Sequence, residues 1–229
     1  MTSFKNAKTI AIDGPAGSGK STVSKLTAER LGYMYVDTGA MYRALTLKVM
    51  KKNISFDNKE EIIKLSANLD LKFLVSEEKT KTNRVVLDGF DITAEIRKME
   101  VTGNVKYVAK IPAVRENMVN FQRRLIEEMN HGAVMEGRDI GTVVLPGAKY
   151  KFYLDASFDE RVERRLAELK AKGEVITRDE VANDLKQRDH TDKTRETGPL
   201  RKAADALYLD TTNLSVEEVI TKIITCINP

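Results

Sequence analysis

The sequence predicts an α/β fold: a five-stranded parallel sheet flanked by helices, interrupted by a small antiparallel β insert. Three observations carry this. Five short apolar runs, Thr9–Ile12, Met34–Val36, Ala133–Met135, Tyr150–Leu154 and Ala206–Leu209, lack the polar alternation of a half-exposed strand and suit buried parallel strands. Helical patterns fill the intervals between them. Each run closes on an acidic residue, Asp13, Asp37, Glu136, Asp155 or Asp210, at the strand edge where open α/β sheets hold ligands. Asp155 and Asp210 are expected to cap the next helix or turn.

In chain order, Lys20–Leu31 carries Val23, Leu26 and Leu31 on one face and stops at Gly32, a C-cap signal. Ala40–Lys52 follows the second strand. Leu69, Leu71, Phe73 and Val75 then alternate with mostly polar residues, as a half-exposed strand does. After the polar loop Ser76–Asn83 comes Arg84–Leu87, the favoured tight-turn pair Asp88-Gly89, and Phe90–Ile92, which together read as the antiparallel lobe. Pro112–Asn130 opens with proline in its first turn and ends near Gly132. Capping boxes open three helices, at Ser157–Glu160, Thr177–Glu180 and Ser215–Glu218. The mixed charge runs Asn58–Lys64 and Glu77–Lys81 read as solvated surface.

A chain of 229 residues suffices for one core plus an inserted lobe. With 41% hydrophobic and 31% charged residues, it reads as soluble and globular. The net charge of +4 suits anionic small ligands as well as nucleic acid. Against nucleic acid, 7 tyrosines, 7 phenylalanines and no tryptophan offer little stacking surface, and no long basic run occurs. Cys226 is the single cysteine, which excludes an internal disulfide and a Cys-based zinc site; His131 and His190 make no metal cluster. No apolar stretch is long enough for a membrane span, and Met1–Lys8 lacks the apolar core of a secretory signal, so the expected address is the cytoplasm. The exposed helices show no apolar seam, and a monomer is expected.

The strongest chemical signal is Gly14-Pro15-Ala16-Gly17-Ser18-Gly19-Lys20-Ser21, followed by Thr22, which has the spacing of a P-loop. Glycines permit positive φ and leave no Cβ in the way, so backbone N–H groups turn inward on phosphate oxygens. Lys20 is placed to reach the β and γ phosphates and Ser21 to offer a hydroxyl to Mg²⁺, while the helix beginning at Lys20 adds its positive dipole end. The alternative is a glycine-rich turn with no ligand; the β-rich run before the loop and the helix after it favour a nucleoside triphosphate. Neither Asn-Lys-x-Asp nor the Asp-x-x-Gly switch segment is present, so a GTPase is not expected and a small-molecule kinase is. A sugar-acid kinase and a non-catalytic nucleotide or nucleic-acid binder are the competing classes.

A second set of cations gathers near the strand edges. Arg43 follows strand two in Asp37-Thr38-Gly39-Ala40-Met41-Tyr42-Arg43, and Arg138 and Asp139 follow strand three in Glu136-Gly137-Arg138-Asp139-Ile140-Gly141-Thr142. Arg188, Asp192 and Arg195 fall in a polar loop between the last two strands, and Arg115 on the long central helix. Bringing two phosphates together requires planar cations that bind them bidentately. Ordinary helix-surface arginines are the competing reading, most of all for Arg115 and Arg195. Arg161, Arg164 and Arg165 share a helical face beside Glu160 and Glu168, which reads equally as a solvated ion-paired face or a mobile lid.

Together, DGPAGSGKST, DTGAMYRALTL, VMEGRDIGTVVLPGAKYKFYLDAS, KQRDHTDKTR and ADALYLDTTNLSVEEV resemble the bacterial cytidylate kinases, within the nucleoside monophosphate kinases, from about Thr9 to the end. The resemblance implies ATP as phosphoryl donor with Mg²⁺, and CMP or dCMP as acceptor in pyrimidine nucleotide metabolism. It implies one P-loop kinase domain, residues 1–229, with a monophosphate-binding lobe over 66–104 and a lid over 158–195. It also implies site roles. Gly14 through Thr22 bind the donor; Thr38, Arg115, Asp139 and Arg195 contact cytosine, with Thr38 in place of a frequent serine. Arg188 and Asp192 contact the ribose, Arg43 and Arg138 clamp phosphate, and Tyr42 lines the pocket. Catalysis is expected from Lys20, Arg43, Arg138, Arg188 and Arg195. One departure stands out: Lys106 occupies the place of a sugar-contacting serine. Cytosine presents an exocyclic amine where uracil has a carbonyl, so Asp139 is expected to favour CMP over UMP.

Overall fold

In a computed structural model of the protein, residues 9–74, 84–129 and 131–227 are described. The first core strand is β1 (Thr9–Asp13), followed by β2 (Met34–Asp37) after helix α1 (Lys20–Leu31). Helices α2 (Thr38–Lys51) and α3 (Lys59–Ala67) lead into the hairpin strands β3 (Leu71–Leu74), β4 (Arg84–Leu87) and β5 (Phe90–Asp91). Helices α4 (Met99–Ala109) and α5 (Pro112–Glu127) precede β6 (Ala133–Gly137) and β7 (Tyr150–Asp155). The chain finishes with α6 (Phe158–Ala171), α7 (Arg178–Thr194), β8 (Leu207–Asp210) and α8 (Val216–Ile227).

The five core strands form a parallel sheet in the order β2-β6-β1-β7-β8. All five predicted runs are strands of it. Burial explains the inner ones: every residue of β1 is buried, with Ile10 and Ile12 at 0% exposure. Burying two such side chains contributes about 2 kcal/mol each. Strand β8, expected to be buried, is instead an edge strand with Leu207 45% and Tyr208 49% exposed. The register sets Asp13 beside Gly137 and Asp155 beside Asp210, which aligns the carboxyl ends of the strands.

Two compact units emerge from the contacts: residues 1–33 with 131–229, and residues 34–130. In the first, α1 packs on β6 and α8, and α6 lies against α7. Thr177 and Ser215 complete their capping boxes, as expected. Ser157 caps only one way, because Glu160 turns to Arg164 instead. Asp155 and Asp210 tie down turns: Asp155 accepts from the Ala156 N–H, and Asp210 from the Thr212 N–H and hydroxyl.

In the second unit, the hairpin pairs Leu71 with Leu87 and Phe73 with Val85 on its buried face. Its turn takes positive φ at both Asp88 (50°) and Gly89 (83°), the conformation for which Asp-Gly is favoured. The expected loop Ser76–Asn83 and the strand residue Val75 lie outside the described residues. Asn58–Lys64, read as solvated surface, is exposed except at Ile63 and the fully buried Ile62, and it opens α3, which Asn58 caps by accepting from the Glu61 N–H. Among the described residues, no helix is long and apolar enough to cross a membrane.

Candidate active site

The glycine-rich loop runs from the end of β1 into α1, and its glycines are required by close approach. A Cβ on Gly14 would stand 2.1 Å from the Leu154 carbonyl oxygen, and one on Gly17 would stand 2.8 Å from the Arg161 carbonyl oxygen, at φ 79°. No side chain caps α1, whose N-cap is Gly19. Its first N–H groups therefore suit an anion, together with the helix dipole. Ser18 Oγ, buried within the loop, has no hydrogen-bond partner among the described residues, which fits a cradle for ligand oxygens.

Lys20 is buried and its Nζ donates to the Pro15 carbonyl, 3.1 Å away inside the same loop. Burial lowers its pKa to about 7, with Arg138 acting in the same direction and Glu136 against it. Ser21 Oγ donates to Glu136 Oε2 at 2.9 Å, so a loop hydroxyl and a carboxylate from β6 meet. These two hard oxygen donors suit Mg²⁺ chemically.

Asp13 links the loop to the turn after β6. Its carboxylate accepts from the Ile140 and Gly141 N–H groups, each at 2.8 Å, and thereby fixes the start of a π-helical turn over Ile140–Val144. Burial raises its pKa to about 6 despite those two bonds, and Asp139 adds to the rise. From this turn Arg138 reaches α7: its Nε donates to Asp192 Oδ2 at 2.7 Å. Burial opposes the charge of Arg138, yet Asp192 and Glu136 hold it firmly protonated. Arg195, which caps the C-terminus of α7, donates to Asp192 Oδ1 at 3.3 Å and stands 3.8 Å from Asp139 Oδ1. Arg188 pairs with Asp184 at 3.6 Å; burial and the neighbouring Arg138 lower its pKa.

Lys20, Arg138, Asp139, Arg188, Asp192 and Arg195 thus form one alternating charge cluster within the first unit. Its α7 members were expected in a loop. They occupy the last turns of a helix, with Arg188 and Asp192 one turn apart and side by side, which a loop would not hold in register.

The remaining expected residues lie in the second unit. Asp37 caps α2 through the Ala40 N–H and pairs with Arg43 at 2.6 Å. Gly39 lets this pair close, since a Cβ there would stand 3.0 Å from Arg43 Nη1. Thr38, in the first turn of α2, is buried. Arg115 lies 5.4 Å from the Tyr42 ring centroid, a cation–π arrangement, and donates to the Ala109 carbonyl at 3.5 Å. Lys106 projects over Tyr107, 5.2 Å from its ring centroid.

Arg164 makes the helical pair read from the spacing, donating to Glu160 Oε1 at 2.8 Å, and both Arg161 and Arg164 also reach partners beyond α6. Arg161 is 6% exposed and donates to Ala16 of the glycine-rich loop and to Asp189 of α7. Arg164 donates to both the hydroxyl and the carbonyl of Thr211, at 2.9 and 2.6 Å. These further partners lie far away in the chain, so spacing within one helix could not reveal them.

A cytidylate kinase family model matches residues 10–229. The chain belongs to the cytidylate kinase family. The cytidylate kinase of Caldanaerobacter subterraneus is 48% identical over 214 residues, 93% of this chain and 92% of its own. That of Clostridioides difficile is 46% identical over 219 residues, covering 96% and 97%. In fold, the chain is similar to a solved, uncharacterized protein from Eubacterium ventriosum: TM-score 0.51, 15% identity, with 97% and 99% of the two chains covered. Cytidylate kinases are phosphotransferases, so the loop and the charge cluster beside it are parts of an enzyme.

Proposed function

We propose that the protein transfers the γ-phosphoryl group of ATP to CMP or dCMP, giving ADP and CDP or dCDP. The observation that carries this reading is the charge cluster: three guanidinium groups and two carboxylates beside a buried lysine in a phosphate-binding loop. Such a set neutralises two phosphates while leaving carboxylates to read a sugar and a base. Lys20 would stabilise the migrating group, Arg138, Arg188 and Arg195 would hold the acceptor, and Arg43 would add to the clamp. Asp139 would accept from the cytosine amine and Asp192 would meet the ribose; Thr38, Tyr42 and Arg115 are the further residues we assign to the base.

Chemically, an acceptor phosphate oxygen forms a bond to the γ phosphorus as the bridge to the β phosphate breaks. That oxygen is already anionic near neutral pH, so no strong base is required, and alignment and charge neutralisation supply the rate. Ser21, and through it Glu136, would hold Mg²⁺, which when bound offsets phosphate charge. Residues 66–104 would serve as the monophosphate lobe and 158–195 as the lid, whose closure excludes water. The setting we infer is pyrimidine nucleotide metabolism in the cytoplasm, with the protein acting as a monomer.

An ADP-release assay over CMP, dCMP, UMP, AMP and a sugar acid tests the reading. Turnover concentrated on CMP and dCMP is expected; turnover of the sugar acid alone, or of no acceptor, would overturn it.

A further inference from the structure

Arg161 joins the glycine-rich loop to the helix that carries the acceptor-facing charges. Its Nη1 donates to the Ala16 carbonyl at 3.1 Å and its Nη2 to Asp189 Oδ2 at 2.7 Å. The contact is close-fitting: Gly17 lies flush on the Arg161 backbone, and Ala16 is buried in the apolar cluster of Val162, Leu166, Val181 and Leu185 that joins α6 to α7. Asp189 sits beside Arg188 and one turn before Asp192, which binds Arg138.

As a stabilising device this joint is poor. Arg161 Nε and Asp189 Oδ1 are both buried without a hydrogen-bond partner among the described residues, and Asp155 approaches Arg161 Nε only to 3.9 Å. A half-satisfied buried ion pair is often matched or exceeded in stability by apolar side chains of similar volume. What apolar side chains cannot reproduce is direction: a guanidinium fork fixes both the distance and the angle between a loop carbonyl and a helix carboxylate.

We infer that Arg161 is a positioning residue for phosphoryl transfer, a strut that, in the closed lid, sets α7, with Arg188 and Asp192 on it, at a fixed offset from the donor-binding loop. The inference rests on the proposed kinase reading. Arg161 acts through Ala16 and Asp189, and the quantity it controls is alignment in the ternary complex. A displacement of about 1 Å there lowers the rate about a hundredfold.

The test is the double variant R161M/D189L, assayed with whichever acceptor the native protein turns over, so that native activity on CMP reports separately on the kinase reading. The expected result is a melting temperature no lower than the native one, KM values for donor and acceptor within about threefold of native, and kcat lowered about ten- to a hundredfold. Native kcat in a stable double variant would overturn the inference, as would a loss of kcat/KM carried by KM alone. Should that variant fail to fold, D189A, which removes the acceptor of the Arg161 guanidinium, carries the test: the same split between kcat and KM is expected, and unchanged kcat overturns the strut.

Discussion

Lys20 offers a prediction whose size follows from its surroundings. Its ordinary pKa of 10.5 falls to about 7, first through burial and then through Arg138. At about pH 8 roughly nine-tenths of the lysine is therefore neutral, and at about pH 6 roughly one-tenth. A polyphosphate in the loop favours the charged form, so binding should draw close to one proton from solvent at about pH 8 and far less at about pH 6. Isothermal titration with a non-hydrolysable ATP analogue, in two buffers of different ionisation enthalpy, measures this uptake. K20M should abolish it. The same burial fixes the sign of a stability effect: the folded state resists protonation that the unfolded chain accepts, so this group's contribution is full above pH 10.5 and is lost as pH falls to about 7. The loss is about 5 kcal/mol at most. K20M, inactive in transfer, should thus melt higher than the native protein near neutral pH. Absence of proton uptake at about pH 8, or equal uptake by K20M, would refute the reasoning.

Other predictions concern the carboxylates. Replacing Asp139 with alanine should lower the ratio of kcat/KM for CMP over UMP by about a hundredfold, because the amine-reading acceptor is gone; an unchanged ratio would remove Asp139 from base selection. Asp13 is 4% exposed with a pKa raised to about 6, chiefly by burial, so its stabilising contribution is full below pH 3.8 and is lost as pH rises to about 6. Between those limits the native protein should lose about 3 kcal/mol relative to D13N, read as the difference in slope of two melting series against pH. Parallel slopes would show that Asp13 does not titrate there. Ser21→Ala should raise the Mg²⁺ concentration needed for half-maximal rate, and an unchanged requirement would place the ion elsewhere.

What could be read from the sequence, and what could not, divides along a physical line. The inner strands were legible because parallel strands buried on both faces are simply apolar, and the loop because phosphate binding demands glycine at particular spacings; Gly14 and Gly17, with no room for a Cβ, show how tight that demand is. The hairpin turn was legible for the same kind of reason, since Asp88-Gly89 must adopt positive φ. Apolar periodicity stops being informative where a helix is buried against charge. In α7 the buried apolar residues are Val181, Ala182 and Leu185, all in its first half. Beyond them Arg188, Asp189 and Asp192 face other charged groups, so the pattern resembles a loop although the backbone is helical.

Arg161 carries the same lesson into the site. Helical spacing offers it charged neighbours on α6, yet its partners lie 145 residues away at Ala16 and 28 residues away at Asp189. Surface arginines form pairs that contribute little and tolerate exchange; one that is buried with two distant partners exists only because the fold brings them together. Glu136 follows the same logic, being legible as an edge carboxylate but not as the acceptor for Ser21, 115 residues earlier. Sequence spacing thus exposes groups whose chemistry is local, such as a cap, a turn or a cradle. Groups whose work is to join two parts of a site become visible only when both parts are in place, and in this enzyme they are the ones that set where the donor loop stands against α7.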